Sequence, residues 1–378
     1  MVKNLEKILI KVGTTTLSAS DGINIEIIEK LSDVIAKLRK LRHKVILVTS
    51  GAVALGVRKL KLTSKPKTIL GKQASAAVGQ ALLMQTYEKY FSEYDIPIAQ
   101  ILLTREGFVQ RETYINARET IQELLDMNVL PVINENDAVA SEEIRFGDND
   151  MLSAMVSDLI SADRLIMLTD EEGLYDKNPK KHKDAKLIPL VEKITPEIEK
   201  MASGTGSDFS TGGMLSKIQA AKLATSCGVT THIIYGGNPG NILELIENKI
   251  RSTETQKHRG TTFLPNTNKT EKRKSWIAHT LVSSGKVYVD SGAKKALISN
   301  GKSLLPAGIK KVSGKFARGA AVEICHLNNE KPFAKGITNY SNVELEKIIG
   351  KKSSDIEAAL GYSYGKTVIH RDDLVVVN

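Results

Sequence analysis

The chain has 378 residues, of which 41% are hydrophobic and 25% charged, a make-up that excludes a disordered or fibrous protein and, at this length, favours two domains over one. No run of 18 or more apolar residues occurs and the opening Met1-Val2-Lys3-Asn4-Leu5 has no signal-like apolar core, so neither a membrane span nor a secretory leader is expected. The two cysteines, Cys227 and Cys325, have no metal-site spacing and fit a reducing cytoplasm.

In chain order, the apolar run Ile8–Val12 predicts a buried strand that carries Lys11 and opens at Gly13 into small hydroxyl residues, Thr14-Thr15-Thr16. Ile28, Leu31, Ile35 and Leu38 recur at helical spacing and predict a helix over 27–41. Val45–Thr49 reads as a second buried strand, broken by Ser50-Gly51-Ala52 before a helix, which is the βα unit of a parallel sheet. Helices are expected over 75–94, 112–126 and 150–161, and strands over 98–103, 129–133, 165–168 and 231–234. The alternation predicts an α/β fold, a mostly parallel sheet sandwiched between helices. Ligands of such sheets gather at the carboxyl ends of strands, where Lys11, Ser50-Gly51, Asn134–Asp137 and Thr169-Asp170 fall.

The stretch Ser210-Thr211-Gly212-Gly213-Met214-Leu215-Ser216-Lys217 leads into a helix, with Leu215, Ile218, Ala221 and Ala224 on one face. Unpaired N–H groups at a helix start, glycines that admit close approach and a nearby lysine suit the phosphates of a nucleotide. Taken alone it is also what a capped helix with a solvated lysine looks like, and it is not a Walker A loop. Asn134-Glu135-Asn136-Asp137, Phe146-Gly147-Asp148-Asn149-Asp150 and Thr169–Pro179 add amides and carboxylates able to hold an amino group. Each is also ordinary turn chemistry; their convergence on one end of one sheet argues for a site.

Beyond Leu264 the polar stretch 265–274 reads as a linker. Short apolar runs at 287–289, 321–324 and 375–377, set between glycine-rich turns, predict a small, mainly β domain over 275–378 with short helices near 292–300 and 341–348. The net charge of +10 is concentrated here, with 18 basic residues against 10 acidic from residue 270 onward. Such a surplus suits an acidic partner such as RNA, or a solvated lysine-rich surface. Trp276 and Tyr288 fit base stacking or, more simply, the core of a small β domain. His182 reads as a solvated loop residue and His232 as a structural residue of a buried strand.

Together Lys11-Val-Gly-Thr, Val48–Ala54, Asn134–Asp137, Phe146–Ala154, Thr169–Asp176 and Thr211–Lys217 resemble the amino acid kinase family in order and kind, over residues 8–264. The tail, through Gly285–Ala293, Ser303–Ile309 and Lys335–Ser341, resembles a PUA domain. This combination implies the branch of the family that transfers the γ-phosphoryl group of ATP, with Mg²⁺, to the side-chain carboxylate of L-glutamate.

The resemblance further implies that Lys11 and Lys217 flank the phosphates and that Asp170 orients them. Thr169, Asp170, Thr211, Gly212, Gly213, Met214, Leu215 and Ser216 would serve the nucleotide. Ser50, Gly51 and Ala52 would take the substrate α-carboxylate, and Asn134, Asp137, Asn149 and Asp150 its amino group and γ-carboxylate. A homodimer or tetramer, inhibition by proline and a Mg²⁺ held largely by the phosphates are implied in the same way. A sibling kinase acting on aspartate, N-acetylglutamate, carbamate or a nucleotide, and an RNA-binding protein, stand as the alternatives.

Overall fold

The computed structural model describes residues 5–19, 22–104, 107–108, 111–139, 149–203, 212–247, 260–265 and 283–377. Thr211, Phe146–Asp148, Trp276 and all but the first residue of the expected linker lie outside them. The chain divides into two compact units, Met1–Thr267 and Asn268–Asn378.

The first unit is built on an eight-stranded sheet ordered β5-β6-β4-β1-β7-β9-β10-β8. Its strands are β1 (Lys7–Val12), β4 (Lys44–Val48), β5 (Ile98–Leu103), β6 (Leu130–Glu135), β7 (Arg164–Thr169), β8 (Leu190–Val191), β9 (Thr230–Tyr235) and β10 (Thr261–Phe263); β2 (Ser18–Ala19) and β3 (Gly22–Ile23) form a separate ribbon. Within the eight-stranded sheet all pairings are parallel except β9 with β10. β1 lies at the centre with Ile8, Leu9 and Ile10 fully buried, as a strand covered on both faces must be.

Its alternate side chains feed two cores. Ile8, Ile10 and Val12 pack with α2 (Ile25–Lys40) and with Leu83, Tyr87 and Phe91 of α4 (Ile69–Ser92), reached after α1 (Thr14–Leu17) and α3 (Ala52–Lys59). Leu9 packs on the opposite face with α5 (Arg111–Asp126), α6 (Asn149–Leu159), α7 (Pro196–Ser203) and α8 (Gly212–Ser226). Among the described residues no helix is long and apolar enough to cross a membrane.

Local chemistry sets the helix ends. Asn24 caps α2 by accepting from the Ile27 N–H at 3.2 Å, with Glu26 in its first turn and Lys37, Arg39 and Lys40 in its last, which complements the helix dipole. α4 begins at Ile69 rather than near 75, because Thr68 Oγ1 accepts from the Gly71 N–H at 3.1 Å and starts the helix a turn and a half early. α3 and α4 meet backbone to backbone: a Cβ on Gly56 would lie 1.7 Å from Ser75 O, and one on Gly79 1.7 Å from Ala52 O. His232 is buried between Arg164 Nη1 at 3.3 Å and Thr262 Oγ1 at 3.0 Å, and burial, then the Arg164 charge, lower its pKa to about 3. It is a neutral structural residue.

The second unit holds a five-stranded sheet ordered β12-β11-β13-β14-β15, made of β11 (Gly285–Val289), β12 (Ile309–Ser313), β13 (Ala321–His326), β14 (Asn329–Ile337) and β15 (Leu374–Val376). The helices α10 (Ser291–Asn300) and α11 (Asn342–Ile348), which come after α9 (Asn241–Glu247) of the first unit in chain order, match the expected short ones. Ser341 and Glu344 close a capping box at the start of α11. Tyr288 is buried, with the Lys311 ammonium 5.2 Å from its ring centre, so it belongs to the packing of this unit. The strand β14, with Lys, Glu and Pro in it, has no β-like composition; it forms because β13 and β15 pair with it on both sides.

Candidate active site

The carboxyl ends of β1, β4, β6 and β7 lie side by side in the sheet, and the polar side chains they carry are tied together by hydrogen bonds. Asn149, first residue of α6, is the hub: its Nδ2 donates to Thr49 O at 2.6 Å, to Ser50 Oγ at 2.9 Å and to Asn134 Oδ1 at 2.9 Å. Asn134 Oδ1 also accepts from the Glu135 N–H at 2.9 Å, and its Nδ2 donates to Gln80 Oε1 of α4 at 2.9 Å. Thr49 Oγ1 meets the buried Tyr87 hydroxyl at 2.7 Å. With every branch anchored in a strand or helix, Asn149 is held in one orientation.

The next residue gathers the charge. Asp150 has no solvent exposure, and its two oxygens divide between two lysines: Lys11 Nζ donates to Oδ1, and Lys217 Nζ donates to Oδ2 at 3.0 Å. Ser216 Oγ donates to the same Oδ2 at 3.0 Å, and Lys217 also donates to Gly213 O at 3.1 Å. Burial alone would push the Asp150 carboxyl up; the charges of Lys11 and Lys217 and their hydrogen bonds outweigh it and hold it down to about 2. Lys11 and Lys217 are themselves only 4% and 9% exposed. One carboxylate against two ammonium groups leaves a net positive charge in a desolvated place, where it acts strongly on any anion.

Beside this cluster opens a cavity of about 530 Å³ lined by Thr14, Ser50, Gly51, Asn134, Asp137 and Asn149, among others. Gly51 stands at φ 103° as the residue that caps α3, a conformation that strains any residue with a Cβ. It turns the chain so that the start of α3 meets the cavity. Lys65 and Lys72 line the same cavity.

The sequence profile of the amino acid kinase family matches residues 6–235, and that of the PUA domain matches residues 285–360. This chain belongs to the amino acid kinase family. A glutamate 5-kinase of Caldanaerobacter subterraneus subsp. tengcongensis is 50% identical over 373 residues, covering 98% of each chain. A glutamate 5-kinase of Geobacter sulfurreducens is 45% identical over 378 residues, 100% of this chain and 99% of that one. A solved structure, the T. acidophilum isopentenyl phosphate kinase product complex, is similar at 16% identity and a TM-score of 0.46 over 68% of this chain and 99% of that one.

Within the kinase unit, Lys11, Ser50, Gly51, Ala52, Asn134, Asp137, Asn149, Asp150, Ser216 and Lys217 fall into one connected region. Asp170 does not join the lysines: it is exposed and accepts from the Thr169 hydroxyl at 3.1 Å, and the carboxylate that touches both lysines is Asp150. Met214 and Leu215 turn toward the hydrophobic core, which leaves their backbone for any ligand at the start of α8. Thr211 lies outside the described residues. Sequence reasoning missed Gln80, Lys65 and Lys72. A glutamine on the apolar face of α4 gives no local signal, whereas the lysines stand in a basic run without an acidic residue, which is visible in the chain.

Proposed function

We propose that this chain is a glutamate 5-kinase, which transfers the γ-phosphoryl group of ATP to the side-chain carboxylate of L-glutamate. The product is L-glutamyl 5-phosphate, and the reaction is the first step of proline biosynthesis. The observation that carries this reading is the buried lysine pair, held by one shared carboxylate, beside a cavity lined by polar side chains. Two glutamate 5-kinases similar along their whole length support it.

The acceptor needs no general base, because a γ-carboxylate with a pKa near ~4.3 is ionised at neutral pH. The barrier is repulsion between that anion and the triphosphate. In this reading Lys11 and Lys217 neutralise it, and Lys217, on the first turns of α8, follows the moving phosphoryl group. Asp150 keeps both ammonium groups in position. Thr169, Asp170 and the backbone from Thr211 to Ser216 serve the nucleotide. Ser50 and the N–H groups of Gly51 and Ala52 take the α-carboxylate, a helix-start anion site. Asn134, Asp137 and Asn149 hold the amino group and orient the γ-carboxylate.

Among the described residues no group of three or more His, Cys, Asp or Glu side chains is arranged to enclose a metal ion. In this reading Mg²⁺ would accompany ATP as the ion of its phosphates. The two free cysteines suit a cytoplasmic enzyme. Homo-oligomerisation and inhibition by proline complete the reading.

The test is ATP- and Mg²⁺-dependent acyl phosphate formation, trapped with hydroxylamine. L-glutamate, L-aspartate and N-acetyl-L-glutamate are offered side by side, with and without proline. A hydroxamate from glutamate alone is expected, suppressed by proline and lost in Lys217→Ala. Product from another acid would move the chain to a sibling kinase.

A further inference from the structure

Behind Asn134 and Asn149 a chain of amides runs away from the cavity. Gln80 Nε2 of α4 donates to Gln100 Oε1 of β5, Asn134 Nδ2 of β6 to Gln80 Oε1, and Asn149 Nδ2 of α6 to Asn134 Oδ1, each at 2.9 Å. Gln80 is 9% exposed and Asn134 2%. Asn134 and Asn149 line the cavity of about 530 Å³. Gln80 and Gln100 line an adjoining space of about 330 Å³ instead. Gln80 therefore grips a residue of the cavity wall from behind.

Two backbone groups give this chain its direction. A side-chain amide can turn over among other amides, because one end donates and the other accepts. A backbone N–H only donates and a backbone C=O only accepts. The Glu135 N–H donates to Asn134 Oδ1 at 2.9 Å, and Thr49 O accepts from Asn149 Nδ2 at 2.6 Å. Asn134 must then show its nitrogen to Gln80, and Gln80 must answer with its oxygen. Asn149 commits both protons to Thr49 O, Ser50 Oγ and Asn134 Oδ1, so only its carbonyl oxygen is left to offer a ligand. α4 braces both ends of the chain: Tyr87, about two turns beyond Gln80, holds Thr49 Oγ1 through its hydroxyl at 2.7 Å.

We propose that Gln80 is a positioning residue for the acceptor: acting through Asn134, it holds the Asn149 amide with its oxygen toward the acceptor's ammonium group. The inference rests on the glutamate reading above. A carbonyl oxygen takes an N–H donor and repels a carboxylate, so this end of the chain suits one of glutamate's three charges and not the other two. An apolar side chain at position 80 would fill the same space in the core. It would also leave the buried Asn134 nitrogen without the acceptor that Gln80 gives it. Asn134 would then turn to find another, and its oxygen would leave Asn149.

The experiment is a double-mutant cycle on the full chain, with Gln80→Leu, Asn134→Ala and the two combined. Hydroxylamine trapping reads it at varied L-glutamate and at varied ATP. Gln80→Leu is expected to raise the glutamate KM about tenfold, with kcat within about threefold and the KM for ATP steady. In the Asn134→Ala background the same substitution should change the glutamate KM by less than about twofold, because the residue it acts through is gone. Gln80→Glu keeps an oxygen toward Asn134, ionised or not, and should recover most of the loss. Should Gln80→Leu fail to fold, Gln80→Met takes its place; should Asn134→Ala turn over too slowly, calorimetric binding of L-glutamate reads the same cycle. Additive effects of the two substitutions, or an unchanged glutamate KM in Gln80→Leu, overturn the positioning role while leaving the kinase reading intact. A wild type that phosphorylates no glutamate overturns the acceptor assignment and this inference with it.

Discussion

Asp150 stays ionised without solvent because Lys11 reaches it from β1 and Lys217 from α8. Its pKa lies below the ordinary 3.8, at about 2. A carboxyl depressed by folding contributes stability above its unfolded pKa and loses that contribution as pH falls through its folded one. The contribution is on the order of 2 kcal/mol and disappears between about pH 4 and pH 2. Asp150→Asn removes it and strands two buried ammonium groups side by side, at a cost of about 3–5 kcal/mol. Thermal unfolding from neutral to acid pH should show a lower melting temperature at pH 7 and a flatter acid limb; a variant with the wild-type slope would refute the assignment. The sequence displays all three residues at strand or helix ends, yet assigns the lysines to Asp170 and Asp150 to the substrate. Strand order and side-chain direction, which decide the contact, arise from pairings 139 and 67 residues apart, and no local pattern encodes them.

At the scale of elements, periodicity was enough for most of the frame. The strand at 98–103 matches residue for residue, and α2, α5 and β7 agree within two residues at each end. What periodicity could not reveal was the cap that starts α4 early and the partners that make β14 a strand. It was equally silent about the α3–α4 crossing, where Gly56 and Gly79 allow backbone contact. That crossing sets where the start of α3 meets the cavity. Gly79→Ala would place a methyl group on the carbonyl of Ala52, the first residue of α3, and the helices must separate. The expected outcome is a loss of about 1–3 kcal/mol, with a raised acceptor KM and a steady KM for ATP. Chemical denaturation with two-substrate kinetics checks both; an unchanged acceptor KM would mean that the crossing does not position the site.

The whole molecule has a core for each unit: the two sheet-face clusters lie in residues 8–263, and the third in residues 287–374. Fragments 1–267 and 268–378 are therefore each expected to melt cooperatively, and the first to keep its turnover within about threefold of the full chain. Calorimetry of the fragments and the hydroxamate assay on the first decide this. An inactive but folded first fragment would give the second unit a part in catalysis. The central place of β1 also bears on how the protein is made. Its neighbour β7 begins at Arg164, 152 residues after Val12, a delay of about 8–30 s at common ribosomal speeds. During that interval β4 can pair with one edge of β1, while the other edge and much of its apolar surface await their cover. A nascent chain carrying the Lys11 strand is thus a client for ribosome-bound chaperones, and synthesis without them should favour aggregation before Thr169 has emerged.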